Sequence, residues 1–165
     1  MSKRGRETAT DMLRSLAVVL AVVVPLWFFG QASPSDSRRI RPVNPAAALA
    51  AFVQDTHGPV PSATPAGWVP NVAVEGAGRV RVGYVLGEHY AEFAGGSGPG
   101  FLDDASGKAT DSGSVDVQGV VWRDYRSADG QESLVRTVGM VTVLVGGVRE
   151  NATRAELEAL AAMVR

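Results

Sequence analysis

Hydrophobic and polar positions divide the chain into three regimes. The first is an unbroken apolar stretch. Residues 16–30 read LAVVLAVVVPLWFFG, and no charged side chain occurs from Ser15 to Ser35. At about 1.5 Å per residue, this run makes roughly 31 Å of helix, close to the hydrocarbon thickness of a bilayer. Apolar side chains cover every face of such a helix, which argues against an amphipathic core helix. Trp27, Phe28 and Phe29 stand near its far end, where interfacial aromatics belong. Pro25 kinks the segment without preventing it from spanning. The competing reading is a cleavable signal peptide, cut after Ala32.

The second regime alternates with a period of two. Val80, Val82, Tyr84 and Leu86 alternate with Arg79, Arg81 and Gly83, and Gly87-Glu88 fits a two-residue turn into residues 89–94. Residues 114–117, 120–125, 133–138 and 141–145 are also strand-like. They are joined by Gln118-Gly119, a loop containing Asp129-Gly130, and Gly139-Met140, and together they predict a four-stranded antiparallel meander.

The third regime is helical. Asn44-Pro45 starts a helix that carries Leu49, Phe52 and Val53 on one face and that Gly58 can end. Thr153 and Glu156 form a capping box ahead of the stripe Leu157, Leu160, Ala161 and Val164. Residues 101–106 read as a short helix stopped by Gly107. Residues 59–70, rich in proline, read as a loop anchored by Trp68, and Gly95 to Gly100 as a flexible connector.

The expected fold class is therefore α+β. An N-terminal transmembrane helix precedes an antiparallel sheet of about six strands, the meander included, with two amphipathic helices packed on it. Residues 1–14 are expected as a cytoplasmic tail, 15–35 as a signal-anchor, 36–43 as a stalk, and 44–165 as an extracytoplasmic domain. Four Lys or Arg precede the apolar run, against Glu7 and Asp11, which favours an N-terminus inside the plasma membrane. Asn151-Ala152-Thr153 matches a glycosylation sequon, although Thr153 is already used as the cap.

Composition narrows the chemistry. The 165 residues contain no cysteine, which removes disulfides, thiol catalysis and thiolate metal sites. A net charge of −1 points to no nucleic-acid partner. With two histidines, no serine elbow and no phosphate loop, no catalytic constellation forms. Residues 95–99 miss the elbow pattern at Pro99, and Gly107-Lys108-Ala109 lacks the phosphate-loop hydroxyl. Asp103, Asp104, Asp111 and Asp116 do not have calcium-loop spacing, and His89 alternates away from Glu88 and Glu92 on a strand. The reading is not an enzyme, with no cofactor and no metal.

One pair of residues stands out. Centring the long hairpin on Asp129-Gly130 sets Arg123 opposite Arg136. It also puts Trp122, Val115, Val117, Val120 and Val135 on one face and Leu134, Val138, Val141, Val143 and Val145 on the other. Apolar side chains on both faces imply cover on both. Facing like charges are unfavourable by some tenths of a kcal/mol unless neutralised. Asp116, opposite Val121 on the same face, is the internal candidate. A bound phosphate or carboxylate is the other, making Arg123 and Arg136 the speculative anion contact.

The opening SKRGRETATDMLRSLAVVLAVVVPLW, then RIRPVNPAAAL, TPAGW, RVGYV, YAEF, ESLVRTVG, VTVLVGG and ELEALAAMVR, resemble an actinobacterial family designated domain of unknown function 4245. The resemblance implies a single-pass envelope protein with an exposed α+β domain and no established reaction. The expected function is a membrane-anchored extracytoplasmic binding or interaction module, partnered by the lipid bilayer and an envelope protein. The alternative is a carrier or sensor of a hydrophobic or anionic small molecule.

Overall fold

The computed structural model of the chain describes residues 41–148 and 151–165, all within one compact unit, Ile40–Arg165. The expected tail, signal-anchor and most of the stalk lie outside the described residues. Among the described residues, no helix is long and apolar enough to cross a membrane.

Among the described residues, three helices and seven strands alternate in blocks. Helix α1 (Ala46–Thr56) leads into β1 (Val69–Gly76), β2 (Arg79–Leu86) and β3 (His89–Ser97). Helix α2 (Phe101–Ser106) leads into β4 (Thr110–Val117), β5 (Val120–Arg126), β6 (Glu132–Val138) and β7 (Val141–Gly146), and α3 (Arg154–Ala161) closes the chain. The strands form one antiparallel sheet in the order β1-β2-β3-β7-β6-β5-β4. The expected fold class is thus corrected to a seven-stranded sheet with three helices, none of them membrane-spanning among the described residues. The added strand is β1, which begins at the end of the expected loop 59–70 and runs through residues to which the sequence assigns no element. Its alternation is broken by Pro70 and by a register shift between Pro70 and Val72, and its valines at 72 and 74 point to solvent.

Three hairpins follow the expected register. Leu86 pairs with His89, Val117 with Val120, and Val138 with Val141, each across a two-residue turn. The β5–β6 hairpin does not. Arg126 pairs with Glu132, leaving a loop of residues 127–131 closed by the Ser127 N–H on the Gln131 carbonyl at 2.9 Å. An odd loop shifts the pairing by one residue, and a one-residue slip exchanges faces. Leu134, Val143 and Val145 therefore join Trp122 on a single core face, and Val135 turns to the other side.

Both long helices cover that core face. Leu49 and Phe52 of α1, with Leu157, Leu160 and Ala161 of α3, pack there against Trp122, Phe93 and Tyr84. Burial pushes the Tyr84 phenol up to about 12. On the outer face α2 supplies the cover seen among the described residues, laying Phe101 and Ala105 against Ala94, Val135 and Leu144.

Glycines 95 and 96 make the double cover possible. They belong to β3 rather than to a flexible connector. A Cβ on Gly95 would stand 2.7 Å from the Phe52 ring, and one on Gly96 would stand 2.7 Å from the Phe101 ring. Helix α1 ends not at Gly58 but one residue earlier, on His57 in the left-handed region at φ 56°. Gly58 instead leaves space for Val141 and Phe52. At the helix start, the Asn44 carboxamide accepts from the Ala46 N–H at 3.0 Å, as an N-cap does.

The closing helix is held at its N-terminus. The Thr153–Glu156 capping box is complete, and Glu156 also meets Nδ1 of His89 at 2.9 Å. Asn151 bridges the β2–β3 turn: its Oδ1 accepts from the Tyr90 N–H at 2.6 Å, and its Nδ2 donates to the Glu88 carbonyl at 3.0 Å. Both ends of the sequon side chain are therefore committed to folding contacts. Arg154 completes the clamp by reaching Asp124 at 2.8 Å, Glu158 at 2.9 Å and Glu132 at 3.4 Å.

Two predictions follow from this packing. Trp122 is 1% exposed, so Trp122→Ala removes a buried aromatic and costs about 3–5 kcal/mol, read from urea unfolding. An unchanged midpoint would contradict its place in the core. The second concerns Glu156. The Thr153 backbone N–H, then His89, holds its carboxyl below the usual carboxylate range. The stability this contributes is present above the unfolded value of about 4.3 and is lost as pH falls through the lower folded value. Glu156→Gln should thus lower the unfolding midpoint at neutral pH and converge with the parent in acid. A constant gap across pH would refute the linkage.

Candidate functional site

The sheet is not continuous across its second half. Pairing between β5 and β6 stops at Arg123 with Val135. Beyond that point β5 stays paired with β4 as far as Val120 with Val117, and β6 stays with β7 as far as Val138 with Val141. No pairing joins residues 120–122 to residues 136–138. The β4–β5 and β6–β7 hairpins therefore part like the tines of a fork.

The register explains where they part. Arg136 lies on the same side of β6 as Leu134 and pairs with Val143 of the core face. Continued β5–β6 pairing would bring it against Trp122, inside the packed core. A guanidinium there would lose its hydration without a counterion, a cost of several kcal/mol. The strands separate instead, and half-buried Arg136 lines the opening.

The resulting cleft has a volume of about 710 Å³ and opens mainly on the outer face. Val121 and Arg123 flank it on one tine, and Arg136 and Thr137 on the other, with Tyr125 and Val135 at the base. Val121 is 64% exposed, Val138 40% and Met140 88%, so the tines carry apolar side chains in solvent.

The expected facing pair is corrected, since Arg123 stands opposite Val135 and not Arg136. The physical reason is the five-residue loop. The two arginines nevertheless border one cleft. Asp116 does stand opposite Val121, but its carboxylate accepts from the Gly119 N–H at 2.8 Å and caps the turn. Arg123 is paired with Asp111 instead. Arg136 has no ion-pair partner among the described residues. Tyr125, Thr137 and Val121 were not singled out by sequence. Nothing in the periodicity marks where two paired strands separate.

A second concavity of about 380 Å³ lies between α2 and β1–β2, bordered by Val74, Arg79, Arg81, Phe101 and Asp104. Its cations are already engaged. Arg79 lies 5.6 Å from the Phe101 ring centroid and 3.7 Å from Asp104, and Arg81 meets Glu92 at 2.8 Å. The remaining acidic residues are likewise dispersed. Among the described residues, no three His, Asp or Glu side chains are grouped to hold a metal.

No curated protein and no solved structure matches the chain. A family model described as "Protein of unknown function (DUF4245)" matches residues 4–164, nearly the whole length, and the chain belongs to that family.

Proposed function

We propose that this chain is a binding module displayed on the outer side of the plasma membrane, and that the fork between β5 and β6 is where it takes its partner. The carrying observation is the fork itself: two facing strand edges, unpaired with each other, beside exposed Val121, Val138 and Met140. Strand edges and exposed apolar side chains are what interaction sites use and what a solitary domain avoids. Burial of Trp122, Leu157 and Leu160 between sheet and helices supports an interaction surface over a carrier.

The membrane placement is drawn from the sequence. The uncharged run at residues 15–35 inserts into the bilayer, with residues 1–14 inside and the folded domain outside, in the manner of an actinobacterial envelope protein. Protease added to spheroplasts should digest the folded domain and spare an N-terminal tag. A mature chain beginning at Ser33 would replace the anchor with a cleaved leader.

The binding reading is tested by site-specific photocrosslinking in intact cells. A crosslinker at Val121, on the fork, should give a discrete adduct, and one at Val74, on the far edge of the same face, should not. Adducts at Val74 alone, or none at either position, would remove the fork from the binding surface.

A further inference from the structure

We propose that the occupant of the fork is an extended, acidic polypeptide segment of a partner protein, added as a strand along the open edge of β6, with a carboxylate on Arg136. The inference rests on the fork being the binding site, and it names the chemistry of what enters.

The outer edges of the sheet are guarded. β4 carries a register shift between Asp111 and Gly113, and Gly113 adopts φ 145°. Its exposed edge also bears Asp111 and Asp116. β1 is broken at Asn71, and its Pro70 carbonyl accepts from the Val43 N–H at 2.9 Å. Bulges, charges and covering chain are how sheets avoid accidental pairing. The edges inside the fork carry no register shift, and the charge they bear is the cation of Arg136. Residues 136–138 continue in regular register with β7, so their cleft-facing backbone is straight and in phase to receive another strand.

Dimensions and charge agree with that occupant. At about 3.3 Å per residue, three residues of edge offer roughly 10 Å of ladder, enough for two or three main-chain hydrogen bonds. Arg136 brings a guanidinium with no ion-pair partner among the described residues, while Arg123 has Asp111 beside it. The cleft thus holds an unbalanced positive charge, to which a carboxylate is the complement. The strand's period of two then fixes the rest. Side chains alternating with the acidic one turn toward Val121, where β-branched residues fit best.

The test uses the full-length chain in detergent and a displayed library of random decapeptides. Enriched peptides are expected to carry Asp or Glu flanked at alternate positions by Val, Ile or Thr. Their affinity should fall about tenfold with Arg136→Gln, fall similarly with Val121→Glu, and weaken with salt. N-methylation of alternate peptide nitrogens should abolish binding, because the ladder needs those donors. Circular dichroism melting verifies that each variant is folded. No enrichment, enrichment without acidic residues, or binding indifferent to N-methylation would overturn the added strand. Full competition by millimolar inorganic phosphate would reassign Arg136 to a small anion. Any of these results alongside a Val121 crosslink in cells refutes the occupant and leaves the binding site standing; loss of the crosslink as well refutes both.

Discussion

The register of the β5–β6 hairpin governs the rest of the molecule. Because the loop at residues 127–131 holds an odd number of residues, Arg126 meets Glu132, and every side chain of β6 and β7 takes the opposite face from the one an even loop would assign. That single choice places Leu134, Val143 and Val145 beside Trp122 and gathers the large side chains into one core. It explains why both long helices lie on the same side. It also creates the problem the fork solves, since the same parity that buries Leu134 would bury Arg136 two residues later.

The outer face is the consequence. With the core concentrated on one side, α2 is what covers the other among the described residues, and its six residues reach no farther than the centre of the sheet. The contact at that centre is close because Gly96 has no Cβ to hold the Phe101 ring away. To either side the outer face stays open. Ion pairs such as Arg81 with Glu92 occupy it near β2, and the cleft occupies it near β5.

Local patterns in the sequence carried most of the fold. The capping box at Thr153, the alternation of Val80, Val82 and Tyr84, and the tight turns at Gly87-Glu88, Gln118-Gly119 and Gly139-Met140 each state their geometry in a few adjacent residues. What could not be read depended on something distant. Asp129-Gly130 marks a turn without stating whether four or five residues separate the strands. That number shows in the pairing of Arg126 with Glu132 and not in the turn residues themselves. β1 hides because its valines face solvent and its pairing is irregular. Gly95 and Gly96 resemble a linker until the two aromatic rings they admit are seen. Of the site, Arg123 and Arg136 were legible as residues with an unusual relation, but the relation itself was misread. They are neighbours across a gap, not partners across a ladder.

That gap separates two kinds of charge on the domain. Arg154 lies among Asp124, Glu132 and Glu158, and its side chain holds a helix to the sheet. Arg79, Arg81 and Arg123 each have one acidic neighbour and stay on the surface. Arg136 is held half-buried with no counterion among the described residues. A fold that only needed to avoid a charge at this position would do so with the Thr that follows it or the Val that precedes it. Keeping the arginine requires opening the sheet, giving up backbone pairing along three residues of each tine, and leaving Val121 in water. Stability alone does not favour that arrangement, whereas a domain that must hold a strand edge open beside a cation requires it.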